Sequence, residues 1–217
     1  VAENQKDAAR YSLFHALKEI DYHGCERVVR INGLETPHWK EDIRVSVAGG
    51  CDAIRLAKTE SGKDIKTVEE HILAAEKEFH RPIGSTLIMA AIESTKGMLN
   101  LYDICTSSDR LFGIALSRDL QTSISKSGVE LMGARQQMVI TARATGRMCF
   151  DTVYTDLDDM EGFRKDVEMI KQMGFDGKSI INPRQIPVCH DVFTPTEKQI
   201  RWAEAVVREI DTKKAMG

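Results

Sequence analysis

Leu87-Ile88-Met89-Ala90-Ala91-Ile92-Glu93-Ser94 is a run of six apolar residues that stops on a carboxylate and a hydroxyl. A strand buried on both faces of a parallel sheet reads as a near-continuous hydrophobic run, so this stretch predicts such a strand. Val28-Val29-Arg30-Ile31-Asn32 repeats the pattern in shorter form, with an arginine set into the run. In parallel α/β folds, ligands bind beyond the carboxyl ends of the strands. Arg30 and Glu93 therefore stand where an active site is built, and the chain reads as an enzyme.

Outward from these two runs the pattern alternates. Strands are predicted at 27–32, 53–57, 86–93, 111–116, 149–153 and 178–181. Helices are predicted at 5–20, 39–48, 65–79, 96–107, 130–145, 160–173 and 195–210. Gly49-Gly50, Gly146 and Gly174 each follow a periodic segment and read as helix stops, and Thr194 reads as the cap of the last helix. Strand–helix alternation with short glycine-bounded joints means βαβ units and a parallel sheet. No Pro/Ser-rich linker divides residues 1–217, so they read as one domain. A doubly wound dinucleotide fold should carry G-x-G-x-x-G after a strand, and none is present. Polar residues ending several successive strands favour instead a (β/α)8 TIM barrel. Such a barrel needs eight strands, and two are missing from this reading.

Composition narrows the function classes. No apolar run approaches the roughly 18 residues of a membrane span, and the polar amino end offers no signal peptide. A net charge of −3 with interspersed acids and bases argues against nucleic acid as partner. Five widely separated cysteines with no C-x-x-C pair form neither a disulfide framework nor a zinc site, which fits a reducing cytoplasm. Six histidines lack metal-binding spacing. Gly174-Phe175-Asp176-Gly177-Lys178-Ser179 imitates a phosphate loop, but it has two residues between its glycines rather than four and leads from a helix into a strand. It reads as a helix stop, with Lys178 left free to face the site.

Two readings stand for each leading residue. Arg30 is either one half of an internal ion pair or a guanidinium fork that grips a carboxylate. Glu93 is either an acid favoured by the dipole of the next helix or a ligand for a hard cation such as Mg²⁺. Lys58 follows another strand and is a further candidate near the site, whereas Glu60 reads as part of a solvated loop. Asn182-Pro183-Arg184-Gln185 is explained by turn chemistry.

The motifs Val28–Asn32, Ala91-Ile92-Glu93-Ser94, Phe150-Asp151-Thr152-Val153-Tyr154 and Gly174–Ile186 closely resemble the citrate lyase beta-subunit family. That family belongs to a wider group of Mg²⁺-dependent carbon–carbon lyases that includes the malyl-CoA lyases. The resemblance implies a (β/α)8 barrel with Mg²⁺ at the strand mouths, Arg30 as a ligand of substrate carboxylate, and Glu93 as a ligand of both metal and substrate. It also implies that Val1 follows two missing strands. Further, a segment carrying a second metal-binding aspartate is absent after the strand 111–116, near Ser117, and a carboxyl-terminal segment is missing past Ala215. Asp119 is not assigned to that absent ligand.

The implied reaction belongs to citrate fermentation: a citryl thioester on an acyl carrier protein is cleaved to oxaloacetate and an acetyl thioester. The implied partners are the alpha (transferase) and gamma (carrier) subunits of citrate lyase and further copies of the chain, as a homo-oligomer such as a trimer. A malyl-CoA or methylmalyl-CoA lyase on the same scaffold is the alternative enzyme. A catalytically silent scaffold subunit is the alternative of a different class.

Overall fold

The computed structural model describes residues 1–124 and 131–216. Six strands, β1 (Val28–Ile31), β2 (Ala53–Leu56), β3 (Leu87–Ile92), β4 (Leu111–Leu116), β5 (Met148–Asp151) and β6 (Gly177–Lys178), lie in sequence order in one sheet. Every neighbouring pair is parallel. The helices are α1 (Lys6–Glu19), α2 (Trp39–Gly49), α3 (Gly62–Glu78), α4 (Thr95–Leu99), α5 (Leu101–Thr106), α6 (Asp119–Ile124), α7 (Leu131–Thr145), α8 (Met160–Met173), α9 (Ile186–Phe193) and α10 (Glu197–Met216). Glu130, the expected first residue of the helix before β5, lies outside the described residues.

The expected (β/α)8 TIM barrel is corrected: the sheet is open and curled, and β1 and β6 are its two edges. Closing a barrel requires strand number, tilt and stagger to agree, and this family of folds does so with eight strands. Among the described residues β1 and β6 do not pair, so the sheet stays open. One consequence is that the sheet's two faces differ. Alternate residues Ile54, Leu56, Ile88, Ala90, Ile92, Ile114, Leu116 and Cys149 point to the helices and are buried with Ile43, Val47, Ile65, Val68, Ile72 and Met138. Each fully buried aliphatic side chain of this kind contributes about 1.5–3 kcal/mol. The other face carries Val28, Arg30, Arg55, Leu87 and Met148; Val28, Leu87 and Met148 remain exposed.

Local chemistry explains where elements end. Gly50 (φ 91°) and Gly174 (φ 101°) adopt the left-handed conformation just past α2 and α8, and their N–H groups donate to the last carbonyls of those helices. The single helix expected over 96–107 is two. Asn100 ends α4, and its side-chain amide donates to the Glu60 carbonyl at 2.8 Å, turning the chain before α5. β6 is shorter than expected because the backbone N–H of Ile181 donates to the Gln185 side chain (3.0 Å) rather than to a strand. The last helix is capped by Thr196, whose hydroxyl accepts from the Gln199 N–H at 3.3 Å; Thr194 instead closes α9. Among the described residues, no helix is long and apolar enough to cross a membrane.

Candidate active site

Arg30 and Glu93 come together at the carboxyl ends of β1 and β3. Both line a cleft of about 490 Å³, with Lys58, Glu35, Asn32, Asp42 and Asp119 among its other walls. Among the described residues, neither the Arg30 guanidinium nor the Glu93 carboxylate forms an ion pair or a hydrogen bond with another protein group. The internal ion pair weighed for Arg30 is not made among the described residues.

The backbone under each side chain is pinned. Past β1, the Asn32 side chain accepts from Lys6 Nζ (2.6 Å) and its backbone N–H donates to Asp42 Oδ2 (3.1 Å). Asp42, buried on α2, also accepts from Arg10 Nε at 2.8 Å. These contacts tie the mouth of β1 to α1 and α2. Past β3, Ser94 caps α4 by accepting from the Gly97 N–H (3.1 Å), so the cap is Ser94 and not Glu93. The same Ser94 hydroxyl donates to Glu60 Oε1 at 2.8 Å, and Glu60 Oε2 accepts from Lys96 Nζ at 2.9 Å. Lys96 and Ser94 together hold the Glu60 carboxyl below its usual range. Glu60 thus joins two loops, in line with its reading as a loop residue, and leaves Glu93 free to face the cleft. Gly97 permits this geometry, because a Cβ there would stand 2.6 Å from the Thr59 carbonyl oxygen.

Lys58 reaches the cleft, but its ammonium is paired with Glu35 at 2.8 Å, and both groups are exposed. That pairing lifts the Lys58 ammonium above its ordinary range and lowers the Glu35 carboxyl. Lys178 does not face the site. Its fully buried ammonium contacts Asp151 Oδ2 and Asp166 Oδ2, each at 2.6 Å, on the helix-facing side of the sheet. Asn182 behaves as turn chemistry predicts, its side chain accepting from the Arg184 N–H at 3.0 Å.

One charged group near the site was overlooked by the sequence reading. Arg55 interrupts the apolar strand Ala-Ile-Arg-Leu as Arg30 interrupts Val-Val-Arg-Ile, and the same signal would have found it. The parallel register sets Arg55 directly beside Arg30 on one side and Met89 on the other.

Among the described residues no group of three His, Cys, Asp or Glu side chains forms a ready-made metal cage. Glu93 supplies a hard carboxylate to the cleft, whose walls also carry Glu35, Asp42 and Asp119. That oxygen donor set fits Mg²⁺, which is held by one or two carboxylates and keeps positions for water and substrate oxygens. It does not fit zinc, which takes a closed set of nitrogen and sulfur ligands or three protein ligands. The five cysteines are unpaired, and burial pushes the Cys51, Cys105 and Cys149 thiols up, away from nucleophile or ligand chemistry.

The sequence profile of the HpcH/HpaI aldolase/citrate lyase family matches residues 1–183. The chain belongs to that family. It is 48% identical to the citrate lyase subunit beta of Leuconostoc mesenteroides subsp. cremoris, over 98% of this chain and 72% of that protein. It is 28% identical to the mitochondrial citramalyl-CoA lyase of Rattus norvegicus, over 100% of this chain and 68% of that protein. A solved structure of the citrate lyase beta subunit from M. tuberculosis, complexed with oxaloacetate and magnesium, superposes with a TM-score of 0.71. Its sequence is 26% identical, over 90% of this chain and 83% of that one. Family membership makes the cleft the candidate site of a lyase.

Proposed function

We propose that the chain is a Mg²⁺-dependent lyase that cleaves a citryl thioester, carried on an acyl carrier protein, to oxaloacetate and an acetyl thioester. The observation that carries this reading is the cleft itself. A guanidinium and a carboxylate, Arg30 and Glu93, face it without partners among the described residues, in a chain nearly half identical to a citrate lyase subunit beta.

The carbon–carbon bond that breaks joins the carbinol carbon to the methylene beside the thioester. The carbinol oxygen gives up its proton and becomes the ketone oxygen of oxaloacetate. The bonding electrons pass to the methylene carbon, giving a thioester enolate that a proton converts to the acetyl group. Glu93 would hold Mg²⁺, which supplies Lewis acidity toward substrate oxygens when bound. Arg30 takes a substrate carboxylate in a two-pronged grip, which fixes the orientation of the scissile bond. The Asn32–Asp42–Arg10 contacts keep the backbone of β1 from shifting under that load. The Ser94–Glu60 and Ser94–Gly97 contacts do the same for Glu93.

The wider partner set belongs to the same reading: the alpha and gamma subunits of citrate lyase, and further copies of the chain in the cytoplasm, as a trimer. Exposed Ile200, Trp202, Val207 and Ile210 on α10 support protein–protein contact there. The 28% identity to a citramalyl-CoA lyase supports the CoA-thioester reading as the second one. Assaying citryl-carrier protein, citryl-CoA and malyl-CoA side by side separates them. A higher kcat/KM on citryl-carrier protein is expected, and a higher value on malyl-CoA would overturn the choice of substrate.

A further inference from the structure

Arg30 and Arg55 are direct neighbours across the β1–β2 pair, so their side chains leave the same face of the sheet. Met89 follows in the same row on β3, and two further alternations along that strand, through Ala91, lead to Glu93. Arg55 is half-buried, and its Nε is fully enclosed with no hydrogen-bond partner. A guanidinium stays protonated in proteins, so this is a buried donor on a permanent cation. Such a group is costly unless something accepts from it. The charged groups acting on it are Arg30, which opposes its charge, and Glu93, which supports it. Burial is the largest influence, and the net effect holds Arg55 below its ordinary range. No carboxylate of the described residues pairs with it. Arg55 is not itself among the residues lining the cleft and adjoins it through Arg30. Two like charges side by side, one with an unused donor, favour an anion with more than one carboxylate.

The substrate chemistry supplies such an anion. A citryl thioester keeps two free carboxylates, one on the carbinol carbon and one on the remaining methylene arm. A malyl or citramalyl thioester keeps one. A single arginine suffices for the second kind, and a second cation has a use with the first. We propose that Arg55 receives the second free carboxylate of the substrate and so sets the preference of the site for a citryl over a malyl or citramalyl thioester. This rests on the lyase reading above, and it makes Arg55 a specificity residue distinct from Arg30.

The test uses the full-length protein with Arg55→Met, which keeps length and apolar stem, and Arg55→Lys, which keeps the charge. Calorimetric binding of oxaloacetate and of pyruvate, both with Mg²⁺ present, compares a ligand with the distal carboxylate against one without it. Arg55→Met should weaken oxaloacetate on the order of 10- to 100-fold, the loss of a charge-assisted hydrogen bond, and shift pyruvate by less than about threefold. Arg55→Lys should restore part of the oxaloacetate loss. In turnover, Arg55→Met should narrow the ratio of kcat/KM for citryl over citramalyl thioester by a similar factor. Equal weakening of both ligands, or no weakening of oxaloacetate, overturns the proposal and leaves Arg55 structural. If the wild-type protein fails to cleave citryl thioester, the lyase reading fails, and the oxaloacetate-against-pyruvate comparison still decides the role of Arg55.

Discussion

Asp151→Ala should unfold this protein far more readily than any single surface ion-pair deletion. Asp151 is fully buried at the carboxyl end of β5, where it accepts from Arg135 Nε and Nη2, both at 2.9 Å, and from Lys178 Nζ at 2.6 Å. Asp166 completes the group, 2.6 Å from Lys178 and 3.2 Å from Arg135. Two carboxylates thus balance two cations, and the Lys178 side chain is fully buried. Removing Asp151 leaves one carboxylate for two enclosed cations, and breaking a buried pair in this way costs about 3–5 kcal/mol. Against a total stability of about 5–15 kcal/mol, that is a large fraction. With a urea m-value of about 2 kcal/mol/M, the midpoint should fall by roughly 1.5–2.5 M at unchanged m. Arg44→Ala is the control, because the Arg44–Glu78 pair is 2.6 Å apart yet both side chains are 47% exposed. Solvent screens such a pair, and the midpoint should barely move. Equal shifts for the two variants would refute the claim that burial gives the Asp151 group its weight.

Other expectations follow from single contacts. Glu76 is buried, and although burial alone would raise its carboxyl, the Arg110 guanidinium and the N–H groups of Gly84 and Thr86 hold it below its ordinary value of 4.5. A depressed carboxyl stabilises the fold above that value and loses its contribution as pH falls below it. Glu76→Gln should therefore flatten the acid limb of the wild-type stability–pH curve; an unchanged limb would contradict this. Gly97→Ala forces a Cβ against the Thr59 carbonyl, so a loss of about 1–3 kcal/mol is expected by denaturant titration, with lower activity as Glu93 shifts. Arg30→Lys should be nearly as damaging as Arg30→Ala, on the order of 30- to 1000-fold in kcat/KM, because an ammonium cannot reproduce a planar fork. Near-normal turnover by the lysine variant would remove Arg30 from the site.

Apolar periodicity located all six strands to within a few residues, because a strand covered by helices must be apolar whatever its neighbours do. Sheet closure is different in kind. It depends on strand number and stagger, which no single segment encodes, and the expected barrel gave way to an open sheet. Glycine marked the carboxyl ends of α2, α7 and α8 correctly, yet the break at Asn100 depends on a contact with Glu60 forty positions away. The same limit governs the site. Arg30 and Glu93 were legible because each ends or interrupts an apolar run. Lys178, read as following a helix stop and left free to face the site, instead faces the helices, where Asp151 and Asp166 pair with it. Arg55 was legible by the same rule as Arg30, since each interrupts an apolar strand.

The most direct test of the account is oxaloacetate release from citryl-carrier protein, followed in wild type and in Glu93→Gln with Mg²⁺ and with excess chelator. Wild type should release oxaloacetate with Mg²⁺, stop in chelator and recover when Mg²⁺ is restored. Glu93→Gln should lose about 100-fold or more in rate at saturating Mg²⁺, corresponding to about 2.7 kcal/mol of transition-state stabilisation. Full release in excess chelator, or wild-type turnover by Glu93→Gln, would contradict the assignment of a Mg²⁺-dependent lyase site at the mouths of β1 and β3.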